Sequence, residues 1–158
     1  MAKPFLRVLL VFLAALAVRA TTSFAEQVSP EETLKRYLTA IQASDFDKAY
    51  DLVSKAMKTD RKSGQLRSRE AWVKKSQYLV AFSEAKIFDF KVSPGKVEGE
   101  KAIVPNLLSS QDKFLNQLGV EEYELYTLLR EDGAWKVDQQ TEVVEQSEID
   151  QWFPKKKK

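Results

Sequence analysis

Read for polarity alone, the chain changes period once. Up to Ala85 its apolar residues recur at helical spacing; beyond Ala85 they alternate. In "SPEETLKRYLTAIQ", Leu34, Tyr37, Leu38 and Ile41 fall at i, i+3, i+4 and i+7, one face of a helix. Ser29 suits its cap, Pro30 its first position, and Glu32 completes a capping box. "SDFDKAYDLVSKAMK" repeats the pattern. Ser44 is the predicted cap, Asp45 and Asp47 suit the positive helix end, and Ala49, Leu52, Val53, Ala56 and Met57 line one side. "TDRKSGQLRS" is polar, broken by Gly64, and reads as a loop. "SREAWVKKSQYLVAF" is a third helix, capped by Ser68, with Trp72, Val73, Leu79 and Val80 apolar.

The second half reads as strands. In "KIFDFKVS", Phe88, Phe90 and Val92 are predicted to face one way and Ile87, Asp89 and Lys91 the other. Pro94-Gly95 is a turn. "KVEGEKAIVPNLL" is a hairpin about Gly99-Glu100, with Pro105 pushing its second strand towards an edge or a bulge. Residues 109–119 fit either a hairpin tip or a short helix. Tyr123–Arg130 and Ala134–Val143 then pair across Asp132-Gly133, a strong hairpin signal. Helices first and an antiparallel meander after is an α+β order, with three N-terminal helices packed on a curved antiparallel sheet. There is no internal repeat and no second domain.

The first 25 residues stand apart. Lys3 and Arg7 precede an apolar run from Val8 to Val18, and Ser23 and Ala25 occupy the small positions of a cleavage site. Arg19 ends the run well short of the roughly 20 apolar residues that span a bilayer. This predicts a signal peptide cleaved after Ala25 and a protein that is exported, periplasmic or extracellular. Residues 26–146 are then a single cone-like domain, and 147–158 a C-terminal tail with a polylysine end.

Composition narrows the chemistry. The 158 residues contain no cysteine and no histidine. That removes disulfides and both usual zinc ligands, and no metal or cofactor is expected. Without the signal residues Lys3, Arg7 and Arg19 and the four terminal lysines, the body has 18 basic residues against 23 acidic ones. The charge is uneven: Lys55 to Lys75 holds eight basic residues and two acidic, Gly119 to Pro154 two basic and ten acidic. An acidic body with only Trp72 among its basic stretch opposes nucleic acid. The ending "IDQWFPKKKK" joins two aromatics to a lysine run. It fits either a tail tucked against the body or a weak contact of Lys155 to Lys158 with an anionic membrane surface.

Two stretches carry a resemblance. Ser44-Asp45-Phe46-Asp47-Lys48-Ala49-Tyr50-Asp51-Leu52-Val53-Ser54 looks like the second helix of the cone-shaped nuclear-transport-factor-2-like, cystatin-like superfamily, and Leu128 to Asp138 resembles its closing hairpin, especially in small exported bacterial members. The likeness covers roughly residues 29 to 143. It implies three helices against a strongly curved sheet around a conical pocket. Members of that superfamily include isomerases, dehydratases, polyketide cyclases and epoxide hydrolases, and many proteins that only bind. The enzymes often use a pocket histidine or paired pocket carboxylates.

Here histidine is missing, and the acids read as poorly placed. Asp47 and Asp51 sit at i, i+4 with Lys55 beyond, an ordinary solvated face. Asp89 points away from the phenylalanines unless its strand slips by one residue. Each aspartate and glutamate reads as lying on a polar helix face, at a helix start, in a turn, or opposite the aromatic side of a strand. The chain is therefore predicted not to be an enzyme but an exported module that binds a small apolar ligand or an envelope protein. Two alternatives remain: an isomerase-, dehydratase- or cyclase-like enzyme using a pocket carboxylate, and a structural envelope protein that dimerises through its sheet. Trp135 and Val137 share a predicted strand face with Gln139 and Thr141. The candidate ligand-binding residues are Tyr50, Trp72, Trp135, Gln139 and Thr141, polar handles among apolar walls. Protein recovered from outside the cytoplasm is expected to begin at Glu26. N-terminal sequencing checks this, and an intact Met1 or Ala2 there would turn the signal peptide into an anchor.

Overall fold

A computed structural model describes residues 27–114 and 120–154. The predicted signal peptide and Lys155 to Lys158 lie outside the described residues. Ser29 caps the first helix, α1 (Pro30–Gln42), by accepting from the Glu32 N–H. Leu34 and Leu38 point into the core and are almost fully buried.

The predicted second helix is two. α2 (Phe46–Leu52) starts one residue later than expected: Asp45, not Ser44, accepts from the Lys48 N–H. Ser44 instead turns the chain with a φ of 56°. The helix then stops at Val53, which leaves helical geometry and forms a parallel bridge with Val137. Ser54 caps a new short helix, α3 (Lys55–Lys58), through the Met57 N–H. A serine offers the backbone an alternative to continuing the helix. Here the sheet takes up that offer: the Ser54 N–H donates to the Val137 carbonyl and the Ser54 hydroxyl to Asp138 at 2.6 Å. The loop before α4 (Arg69–Ser83) is closed by an ion pair of Arg67 with Asp60, and Ser68 caps α4 as expected.

The sheet comprises β1 (Lys86–Val92), β2 (Lys96–Glu98), β3 (Lys101–Gln111), β4 (Val120–Glu131) and β5 (Ala134–Glu142), all paired antiparallel. Their order is β1-β3-β4-β5, with β2 also on β3. Ser110 pairs with Val120, so residues 109–111 belong to a long hairpin; residues 115–119 lie outside the described ones. β3 is central rather than an edge, contrary to the reading of Pro105. Pro105 is tolerated because it falls between two partners: Asn106 is opposite Val92, the last residue of β1, and Ile103 opposite Lys96, the first of β2. The turn between those strands hugs β3. A Cβ on Gly95 would come within 2.6 Å of the Ile103 carbonyl oxygen.

Two bulges bend the sheet. Phe88 is the extra residue in β1, between Ile87 opposite Ser110 and Asp89 opposite Ser109. Phe90 and Val92 keep the core side, but Phe88 is thrown out and is 48% exposed, correcting the expectation that it joins them. Asp89 stays outside and accepts from the Phe90 N–H. Asp138 is the extra residue in β5, between Val137 opposite Leu128 and Gln139 opposite Thr127. Bulges increase local twist, as a sheet wrapping its helices requires. The inner face carries Ala102 and Val104, Tyr126 and Leu128, and Trp135 and Val137, packed against Leu34, Leu38, Phe46 and Trp72.

A fifth helix, α5 (Gln146–Trp152), lies on the outer side of the sheet. Phe153 meets Tyr123 edge-on at 4.9 Å, and Lys96 sits over Trp152. The two aromatics thus tuck against the body. Asp132 and Gly133 have φ of 50° and 80°, the geometry of a two-residue hairpin turn. Gly133→Val is expected to cost about 1 kcal/mol or more, since a β-branched side chain suits positive φ poorly. A urea midpoint equal to wild type would place the strain elsewhere.

Candidate functional site

Alternation along β4 runs Glu122, Glu124, Tyr126, Leu128 on the inner face, while β3 contributes Asn106, Leu108 and Ser110. Most of that face is apolar. Near the β3–β4 tip it turns polar, and a carboxylate goes in with it. Glu124 is 1% exposed. Asn106, fully buried beside it, donates its amide to one Glu124 oxygen at 2.8 Å. Gln140 donates to the other at 2.6 Å. Tyr126 follows on the same inner face of β4, two residues on. Tyr37 on α1 meets Tyr126 edge-on, with ring centres 6.5 Å apart. Two groups up the strand, Glu122 accepts from the Ser110 hydroxyl at 2.9 Å.

The electrostatics follow from burial. Taking a carboxylate out of water costs several kcal/mol, and each hydrogen bond to a charged group offsets about 1.5–3. Burial wins: it is the largest influence on Glu124 and pushes its carboxyl up, the Asn106 and Gln140 amides pull it back, and the neighbouring charge of Glu122 adds to the rise. Burial also pushes the Tyr37 hydroxyl up to about 12, with the Glu124 charge adding. Tyr126 rises well above the ordinary tyrosine range for the same two reasons. One acceptor is left over. The Asn106 Oδ1, buried, has no hydrogen-bond partner.

This cluster contradicts the expectation that no acid faces inward. Glu122 and Glu124 share the alternation of Tyr126 and Leu128, and Asn106 that of Val104 and Leu108, so the signal was present in the spacing.

The predicted ligand residues are not gathered around this point. Trp72 is buried and donates its indole N–H to the Met57 carbonyl. Tyr50 packs edge-on against it at 5.7 Å, donates its hydroxyl to the Arg67 carbonyl, and carries Lys58 and Arg69 over its ring. Trp135 is buried in the core beneath Arg130. Gln139 and Thr141 do not share its strand face. The bulge at Asp138 inverts the alternation, so both lie exposed on the outer side and Gln140 takes the inner position. Asp51 pairs with Arg69, which holds its carboxyl below the usual range.

Two open grooves of about 480 Å³ each lie elsewhere, one between α1 and α2 past Lys35, Thr39 and Asp45, the other past Arg69, Val73 and Gln77. Both are rimmed by solvated charges. The buried cluster is the stronger candidate, because its polar groups were desolvated at a cost. Among the described residues no group of acids could hold a metal ion, and no helix is long and apolar enough to cross a membrane.

No protein-family model and no curated protein matches the chain. Solved structures do. A domain of unknown function with a cystatin-like fold from Nostoc punctiforme is 10% identical with a TM-score of 0.50, over 75% of this chain and 77% of that one. The likeness is one of fold: cystatin-like, with helices against a curved antiparallel sheet. An NTF2-like protein from Cytophaga hutchinsonii is 18% identical, over 71% of this chain and 93% of that one, with a TM-score of 0.47. A protein from Shewanella frigidimarina described as a candidate ketosteroid isomerase is 15% identical, over 73% and 95%, with a TM-score of 0.49. A likeness of fold at this identity leaves the reaction open.

The buried carboxyl makes a pH prediction. Its folded form holds a proton more tightly than its unfolded form. The stability this gives is complete below the ordinary glutamate value near 4.5 and is lost as pH rises through the raised value. Glu124→Gln is therefore expected to gain stability relative to wild type as pH rises from about 4.5 towards neutrality. Urea unfolding of both proteins across that range checks it; a pH-independent difference would mean the carboxyl titrates normally.

Proposed function

We propose that this protein is an exported, non-enzymatic binding module that takes a small, largely apolar molecule at the polar end of its cone. The molecule presents a hydrogen-bond donor, an ammonium or a hydroxyl, to Asn106 and the two glutamates. The observation that carries this reading is the buried Asn106 Oδ1 without a partner, beside a carboxylate whose own oxygens are already engaged. A buried unpaired acceptor costs about 1–3 kcal/mol, which a ligand donor would relieve. Phe90, Val92 and Leu108 supply apolar wall next to it: Val92 is paired with Asn106 and Phe90 with Leu108. Export rests on the first 25 residues.

A second reading is favoured by one feature. Glu122 and Glu124 lie two residues apart on one strand face, and the second has a raised pKa, the direction an acid–base group needs. Against it, both Glu124 oxygens are held by amides. Under that reading, turnover of a substrate would vanish in Glu124→Gln while the fold survived.

The binding reading is tested with 1-nonanol, nonylamine and nonyl methyl ether as probes. The alcohol and amine are expected to raise the melting temperature more than the ether, and Asn106→Leu to erase the preference. A site built to pair with a donor rejects the analogue lacking it. Equal shifts from all three in wild type, or none, would overturn the proposal.

A further inference from the structure

Around Glu124 the strands assemble acceptors without a cation. Pairing across the sheet puts Glu124 between Asn106 on β3 and Glu142 on β5, all three on one face. Glu122 precedes Glu124 on that face, opposite Leu108. Exposure falls inward: Gln140 and Glu142 stand at the exposed rim, Glu122 is half-buried, and Glu124 and Asn106 are buried. Like charges opposed on one sheet face repel, and burial weakens the screening between them.

No basic side chain offsets the three glutamates. None of the ion pairs among the described residues includes Glu122, Glu124 or Glu142. At that end of the sheet Lys86 lies opposite Gln111, and the Lys113 ammonium lies over the Phe82 ring. Glu121, the next acid along β4, is opposite Ser109 on the outer face. The titratable groups on the side of Glu124 are Tyr37 of α1, Glu122 and Tyr126 of β4 and Glu142 of β5.

The donors are already spent. The Asn106 and Gln140 amides give to Glu124, and the Ser110 hydroxyl gives to Glu122. The Asn106 Oδ1, in a fully buried residue, has no partner. A ligand hydroxyl would serve one acceptor and bring lone pairs of its own into the cluster. A primary ammonium brings three donors and no lone pair. The Tyr37 and Tyr126 rings, edge-on at 6.5 Å, add π faces that attract a cation. A positive charge also favours the ionised carboxyl that burial opposes. An inorganic ion fits less well: the neighbouring wall is apolar, and no group of acids among the described residues could hold a metal.

We infer that the ligand is an organic cation, a primary alkylammonium whose N–H groups meet Asn106 and the two inner glutamates while its chain lies along Phe90 and Val92. This rests on the binding reading above and narrows it from any donor to a charged one. Glu142, at the rim, steers the cation inward.

Calorimetric titration of wild type at neutral pH, where an alkylamine is charged, tests this with nonylamine, 1-nonanol and nonyl methyl ether. Nonylamine is expected to bind about tenfold or more tighter than 1-nonanol, and 1-nonanol tighter than the ether. Glu122→Gln with Glu142→Gln should cut the advantage of the amine over the alcohol about tenfold. Glu142→Gln alone, at an exposed position, should give a smaller loss in the same direction. Glu145→Gln with Glu148→Gln removes as much charge from exposed positions outside the site and should leave the advantage intact. Circular dichroism verifies the fold of each variant. 1-Nonanol binding as tightly as nonylamine, with the ether weaker, would overturn the cation and leave the donor reading standing. Equal binding of all three probes, or none, would overturn both. Equal losses in the two double variants would assign the preference to overall charge and overturn the inference too.

Discussion

The extra residue at Asp138 is the constraint on which much of this molecule turns. One inserted residue in β5 leaves Trp135 and Val137 facing the core and then inverts the alternation. Gln140 comes inward to reach Glu124, and Gln139 and Thr141 go out. The same residue receives the Ser54 hydroxyl, while its neighbour Val137 bridges Val53. A bulge leaves backbone and side chain unpaired in the ladder, and here the helical layer uses them. The break between α2 and α3 and the inward turn of Gln140 are two consequences of one irregularity.

Around that point the protein separates two duties along one sheet face. The half nearest the Asp-Gly turn is apolar and tight, with Leu128, Val137, Leu34 and Val53 almost wholly buried. Its losses on truncation would be those of a well-packed core, about 2–5 kcal/mol for a leucine. The half nearest the β3–β4 tip accepts a destabilised carboxylate, an orphan amide oxygen and two tyrosines with raised pKa values. At the other end one more buried polar atom, Arg130 Nε, lacks a hydrogen-bond partner; apart from it the unfavourable burial among the described residues is concentrated in one place, as in a site kept for something other than stability.

Most local signals held where residues near in sequence decide the outcome, although the cap expected at Ser44 is Asp45. Caps at Ser29 and Ser68, the Asp132-Gly133 turn and the switch from helical to alternating spacing near Ala85 all depend on a few neighbours. The face of each strand was legible except where a bulge intervened. In β1 Phe88 itself is displaced while Phe90 and Val92 keep the expected side, and beyond Asp138 in β5 a period of two predicts the wrong side. Glu122, Glu124 and Asn106 were legible in β4 and β3, which have no bulge, and were passed over because an acid among apolar residues reads as surface.

By itself, then, the sequence determined the class: helices first, a meander after, chemistry without histidine, cysteine or an expected metal. Only the tertiary structure decided where that chemistry lies. Whether Val53 continues a helix or bridges a strand depends on Val137, over eighty residues away. Whether Glu124 is a surface charge or a buried acid depends on Asn106, Gln140 and Tyr37, contributed by three other elements. Burial is a property of what packs over a residue, and no spacing within one strand can state it.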